Sequence, residues 1–378
     1  MTVKNLNLAH NGQSLLLAGV TNSKITDNKI TENRHGIWLI ESENNQVENN
    51  IITGNVYEGF YLSSSNKNQI TKNTLADNGL EGTPAAQETG LTGRSALRLL
   101  RSSNNDISCN KIVGNGEGVN LQDSNGNTIS TNTFENTYGS TIHLFMSENN
   151  KITKNTLKGS NECAIKIWSS DKNTVSYNRI SNNNLGVLLD HAAENTIIQN
   201  DITDNRGFGI QLKSPSALLG GSENNIIHHN NFINNQPDGL DVSIPAIMGE
   251  HQRGGDPFSM EWVPGLGNVW DDGKEGNYWS DYLTRYPDAL EVSNTGVGNT
   301  AYTINENNAD RHPLMSPIES VDLSSQEPTT TPSFEISTQQ DIVSSLQVTA
   351  IVFIITILTV VGLLIYFKKR KMQTAISG

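Results

Sequence analysis

The sequence is short of what an ordinary globular interior needs. Of 378 residues, only 35% are apolar and 6% aromatic, which is too little for a conventional close-packed core of this length. Charge is also sparse, at 17%, so the chain lacks the signature of a charged disordered polymer. A regular architecture that tolerates polar residues fits better. There are only two cysteines, Cys109 and Cys163. They fall at different points of the repeat described below, about two coils apart. At roughly 4.8 Å per coil that separation exceeds disulfide reach, so both are expected to be free thiols.

Basic residues are scarce outside one place. Lys368, Lys369, Arg370 and Lys371 are the only charges after residue 341. Removing those four positive charges from the net −13 leaves −17 on the rest of the chain. Such an acidic surface argues against nucleic acid as a partner, which would need basic patches.

One long hydrophobic run exists. Residues 348–367 read VTAIVFIITILTVVGLLIYF without a charge, long enough to cross the ~30 Å hydrocarbon layer as a helix. The basic cluster follows at once, which predicts a cytoplasmic tail at 368–378 and an extracellular remainder. Residues 319–347 are rich in Ser, Thr, Gln and Pro and are expected to form an extended stalk. The first residues have no apolar leader and already fit the repeat, so the natural chain is expected to start upstream or at another start codon.

What is abundant is asparagine, and it recurs. Residues 3–242 repeat the pattern N-x-I-x-x-N-x-I-x-x-N-x-x-G-I-x-L, seen clearly from Asn22 to Leu39. The central asparagines are Asn28, Asn50, Asn73, Asn110, Asn132, Asn155, Asn178, Asn200 and Asn230. Steps are 22 or 23 residues, except for two longer ones carrying insertions within 79–94 and 214–221. Apolar residues two apart, such as Ile37 and Leu39, mark strands with one buried face. Short strands at this period describe an all-β parallel β-helix of about ten coils over residues 1–242. Stacked asparagines are expected to form an internal ladder that serves peptide groups at the bends, because an amide both donates and accepts.

After the last coil, Gly276-Asn-Tyr-Trp279-Ser-Asp281-Tyr282 stands out, with Gly298 to Ile304 and Asp310 to Met315 beyond it. Together with the coils, these motifs resemble the NosD-like family of right-handed β-helix repeat proteins, over residues 3 to about 318. The resemblance implies a right-handed, pectin-lyase-like β-helix. Residues 243–318 would form a last coil and cap, with Trp270, Tyr278, Trp279 and Tyr282 plugging the open end. The stalk, helix and tail resemble those of archaeal surface members. The family name comes from periplasmic proteins that assist copper delivery to nitrous oxide reductase. Copper(I) would want clustered soft ligands, whereas Met146, Met248, Met260 and Met315 are scattered. His228 and His229 are adjacent and should point to opposite faces of a strand. Many members carry an Asp-rich run after the Trp-Ser-Asp-Tyr stretch, but here residues 287–296 hold only Asp288 and Glu291. Calcium would then depend on Asp271, Asp272, Asp281 and Asp310.

β-Helices related to pectate lyases cleave acidic polysaccharides, and hydrolysis needs paired carboxylates on one face. The central outward position of the main strand reads, coil by coil, Leu16, Trp38, Tyr61, Arg98, Asn120, His143, Lys166, Leu188, Gln211 and Asp241. It holds a single carboxylate, with Asp123 and Asp190 just past the strand. No catalytic residues or metal ligands are assigned. Aromatic, amide and charged groups in this column suit sugar rings, and Trp38, Tyr61, Arg98, His143 and Lys166 are the candidate ligand-binding residues. The expected role is a membrane-anchored surface scaffold that binds a cell-envelope polysaccharide or surface protein, or acts as a spacer. A polysaccharide lyase, hydrolase or epimerase is the alternative.

Overall fold

The computed structural model describes residues 1–79, 94–213, 221–235, 242–243, 267–305 and 307–319. The insertions within 80–93 and 214–220, the run at 348–367, the basic tail and all but Glu319 of the stalk lie outside the described residues. Among the described residues no helix is long and apolar enough to cross a membrane.

Each coil contributes three short strands, as Lys24–Thr26, Lys29–Thr31 and His35–Ile40 do. Like strands of successive coils pair in parallel and build three sheets of ten, eleven and ten strands. Sheet A runs from Thr2–Lys4 to Ile226–His228, sheet B from Asn7–Ala9 to Tyr278–Trp279, and sheet C from Gln13–Ala18 to Val242–Ser243. The 22- or 23-residue period sets the register, so Ile25 pairs with Val47, Ile30 with Ile52, and Ile37 with Phe60. Alternation puts these residues inside, where they stack as columns of fully buried aliphatics. A thin stack of such columns fills the interior, which is how a chain only 35% apolar closes a core.

The expected ladder is present. Each Asn side chain from Asn28 to Asn230 donates Nδ2 to Oδ1 of the next, at 2.9–3.1 Å. The ladder passes from Asn73 to Asn110 across the first insertion and ends on Asn277 of the cap motif. Two further ladders accompany it. One runs from Asn45 through Asn68 and Asn105 to Asn268. The other includes Asn33, Asn55, Asn78 and Asn115. A column of buried serines, Ser42, Ser65, Ser102, Ser124, Ser147 and Ser170, accepts backbone N–H bonds in the same manner. The residue before each ladder asparagine is left-handed. Asp27, Asn49, Lys72 and Cys109 have φ between 56° and 57°. The bend needs that backbone, while the following Asn needs its side chain turned inward. Cys109 is half-buried at such a bend, Cys163 is buried in a sheet C strand, and both thiols are free.

Close coil approach explains the glycine before the apolar pair of sheet C. A Cβ at Gly36 would lie 1.9 Å from the Gly59 carbonyl oxygen of the next coil.

At the C-terminal end Trp270, Trp279 and Tyr282 are buried, as expected of a plug. Tyr278 is only half-buried, because its strand neighbour Trp279 takes the inward position. Its place is filled by Tyr302, whose ring stacks on Trp279 at 4.2 Å while Phe232 stacks on the other side at 4.6 Å. Buried Asp310 accepts bonds from the backbone N–H of Asn277 and from Nε1 of Trp279. Burial pushes its carboxyl up to about 6, against the pull of those donors.

Candidate functional site

The candidate column lies on the outer face of sheet C. Strand pairing aligns Leu16, Trp38, Tyr61, Arg98, Asn120, His143, Lys166, Leu188 and Gln211 in one row. Its last member is Ser243 and not Asp241, since Gln211 pairs with Ser243. Asp241 itself lies outside the described residues. The preceding coil is joined through residues that break the period, which misled counting from the repeat. The single carboxylate expected in the row is therefore absent from it.

Two carboxylates nevertheless serve this face. Both stand three residues before the central row, Glu117 at the start of its strand and Glu58 just before the strand Phe60–Ser63. Glu58 lies 3.2 Å from His35 Nδ1 and 3.9 Å from Arg98. Glu117 accepts from Asn120 Nδ2 at 2.8 Å and from Ser95 Oγ at 3.1 Å, with His143 Nδ1 at 3.7 Å. Burial alone would push Glu117 up, but His143, Asn120 and Ser95 hold it below the usual carboxylate range. In the sequence these carboxylates belong to the column Gln13, His35, Glu58, Ser95 and Glu117, three residues before the central row.

Aromatic rings line the same face. Trp38 meets Tyr61 edge-on at 5.1 Å and His35 at 4.7 Å. The Arg98 guanidinium sits 5.9 Å above the Tyr61 ring. Lys166 lies 5.6 Å over Trp168, which packs on Phe145. The row is less open than expected of a solvated face. Asn120, His143 and Leu188 retain only 4%, 7% and 6% exposure; Glu117 bonds Asn120 and Trp168 stacks beside His143.

Some hydrogen-bonding capacity along the sheet C strands is unfilled within the chain. Among the described residues, six buried side-chain atoms lack a partner: Ser14 Oγ, Trp38 Nε1, Arg98 Nε, Thr141 Oγ1, His143 Nε2 and His191 Nε2. Every one belongs to a sheet C strand or to a residue adjoining one. Among the described residues, sheets A and B leave none.

The cap does not gather metal ligands among the described residues. Asp271 accepts from Gly273 and Arg311 backbone N–H groups and faces His312, while Asp281 accepts from Tyr302. His228 and His229 do come together, with Nδ1 atoms 2.6 Å apart. His229 has φ of 56°, so the chain bends there and the strand rule of opposite faces fails.

Solved structures share the architecture. Dettilon tailspike protein superposes with a TM-score of 0.52 at 14% identity, covering 73% of this chain and 60% of that one. A mutant of the periplasmic alginate epimerase AlgG gives 0.44 at 18% identity, with 50% and 47% covered. PfbA, a surface adhesin of Streptococcus pneumoniae, gives 0.46 at 11%, with 58% and 64% covered. The chain thus spans less than two thirds of the length of each, and the likeness is one of fold. No curated protein matches the sequence. Residues 13–179 and 169–246 match the family model described as the right handed beta helix region, and with its three parallel sheets the chain belongs to that family.

Proposed function

We propose that the outer face of sheet C binds an extended polysaccharide of the cell envelope. The observation that carries this reading is the aligned outward row of sheet C, in which the Trp38 and Tyr61 rings meet in adjacent coils at 5.1 Å and the Arg98 guanidinium lies over Tyr61. Aromatic rings offer apolar faces to sugars, and the half-buried Arg98, Lys166 and Gln211 side chains of the row offer bonds to their oxygens. Parallel coils repeat the offer every ~4.8 Å, which makes a straight track. Residues 348–367 would anchor the chain in the membrane with 368–378 on the cytoplasmic side, and the stalk would hold the β-helix away from the surface. The cap motif at 276–282 supports placement among NosD-like surface members.

The test is calorimetric titration of the full chain with cell-envelope polysaccharides, comparing wild type with Trp38→Ala/Tyr61→Ala. Loss of binding in the variant is the expected result. A polymer that binds both proteins equally removes this face from consideration, and no binding to any polymer favours the spacer role. The presence of Glu58 and Glu117 beside the track favours polysaccharide processing as a second reading. Release of new reducing ends or unsaturated sugars in the same mixtures would establish it.

A further inference from the structure

The segment that leaves the cap is held at several points in succession. The His312 carbonyl accepts from the Gly276 N–H, and Leu314 donates to the Asn277 carbonyl. Pro313 accepts from Gly298, and Met315 donates to Gly296. All of these partners belong to the cap. Ile318 instead returns to the β-helix, bonding a residue 87 positions back. Its N–H donates to Asn231 Oδ1 at 2.8 Å, and its carbonyl accepts from Asn231 Nδ2 at 2.9 Å. Asn231 opens the sheet B strand Asn231–Ile233, which is paired on both sides, with the strands of Asp201 and Tyr278. It is not a ladder residue, since neighbouring Asn230 holds that place. Its side chain occupies the outward position that earlier coils fill with Thr133, Thr156, Arg179 and Asp201. Those four are half-buried or exposed, whereas Asn231 retains only 4% exposure. A further bond from Nδ2 to Asp201 Oδ1, at 2.7 Å, orients the amide. Turned over, it would set its oxygen against that carboxylate.

We infer that Asn231 is a mechanical clasp, which passes a pull on the C-terminal side of the chain to the β-helix before it reaches the cap. Without the clasp, tension at Ile318 would peel Met315, Leu314 and Pro313 from their cap partners. It would then draw on Asp310, whose carboxyl group holds Asn277 and Trp279. With the clasp, two hydrogen bonds on one buried amide take the load first. The backbone of Asn231 spreads that load into paired strands, which open less readily than a terminal segment. The clasp draws its use from the anchoring proposed at 348–367, but pulling the chain directly tests it whether or not that anchoring holds.

The probe is force, applied to the full chain in an optical trap through handles at its two ends. Asn231→Ala removes both bonds to Ile318, so at a fixed load the cap should detach about tenfold sooner, as a separate first step. Asn231→Asp keeps an acceptor for the Ile318 N–H but sets a carboxylate oxygen against Asp201 and the Ile318 carbonyl, and it should speed release at least as much. The control moves the C-terminal handle to the exposed Leu290 of the cap, so that the load bypasses Ile318. From there Asn231→Ala should change the detachment time little. Equal acceleration from both pulling points would overturn the clasp, since Asn231 would then only stabilise the cap. Unchanged detachment under a pull from the C-terminus would overturn it as well.

Discussion

Removing one rung of an asparagine ladder is the sharpest test of what holds the coils together. Asn155 Oδ1 accepts from the backbone N–H of Asn132 at 2.9 Å and from its Nδ2 at 3.0 Å. Its own Nδ2 donates to the Ile129 carbonyl at 2.9 Å and to Asn178 at 3.0 Å. Asn155→Ala therefore strands the Asn132 N–H and removes a donor from the Ile129 carbonyl, both in a dry interior. Asn132 Nδ2 keeps its bond to Ile107 and Asn178 Oδ1 keeps the Asn155 N–H, so two groups bear the loss. At ~1–3 kcal/mol each, and with water able to enter part of the vacated space, the expected cost is about 2–4 kcal/mol. Thr156, the next residue, is half-buried on the outer face of its strand, and Thr156→Ala should cost no more than about 0.5 kcal/mol. Urea unfolding followed by circular dichroism measures both. Equal losses at the two positions would refute the assignment of the ladder as the main internal tie.

Further expectations follow from the cap, the coil contacts and the membrane run. Asp310 titrates at about 6 in the fold against 3.8 ordinarily, so the folded state holds its proton more tightly. That contribution is full below pH 3.8 and is lost as pH rises through 6, a change of up to about 3 kcal/mol. Intrinsically corrected hydrogen exchange at Asn277 and Trp279 should therefore quicken from pH 4 to pH 7, and Asp310→Asn should flatten that trend. Gly36→Ala drives a methyl group into the Gly59 carbonyl, whereas a Cβ at Gly12 meets nothing within 4 Å. The first should cost several kcal/mol, on the order of ~3 or more, and Gly12→Ala little, as read by denaturation midpoints. Protease treatment of intact cells should remove the β-helix and spare a tag on the 368–378 tail; a protected β-helix would contradict the proposed topology.

The fold was legible because its rules are local and repeated. A two-residue alternation names the inward face, and a 22- or 23-residue step names the neighbour in the stack, so Ile25, Val47 and Ile70 could be placed without coordinates. All three Asn ladders stand in the same repeat, at its three asparagine positions, yet the central one alone is singled out there, since each of the others can be read as a bend residue. The site was harder to read. The central row was found correctly from Leu16 to Gln211, but Glu58 and Glu117 reach it from a neighbouring column, and side-chain reach is not written in a period. The unpartnered polar atoms were invisible for the same reason, because they are defined by what the surrounding groups fail to supply. Tyr302 replaced Tyr278 in the plug because strand parity at Trp279 overrides the likeness of two tyrosines.

The ladders also give the rod a sense. In each of the three, the amide nitrogen of one coil donates to the oxygen of the coil that follows it, never the reverse. The side-chain dipoles consequently add head to tail, as turns of a helix do, and polarise one another along the stack. A cross-section facing the N-terminus shows a ring of acceptors, and one facing the C-terminus shows a ring of donors. Such ends are complementary to each other and mismatched to themselves. Any new coil must be laid down in the same orientation, with all its asparagines, or it breaks every chain at once. Whole coils can therefore be gained or lost, while the loss of part of a coil breaks the ladders that cross it.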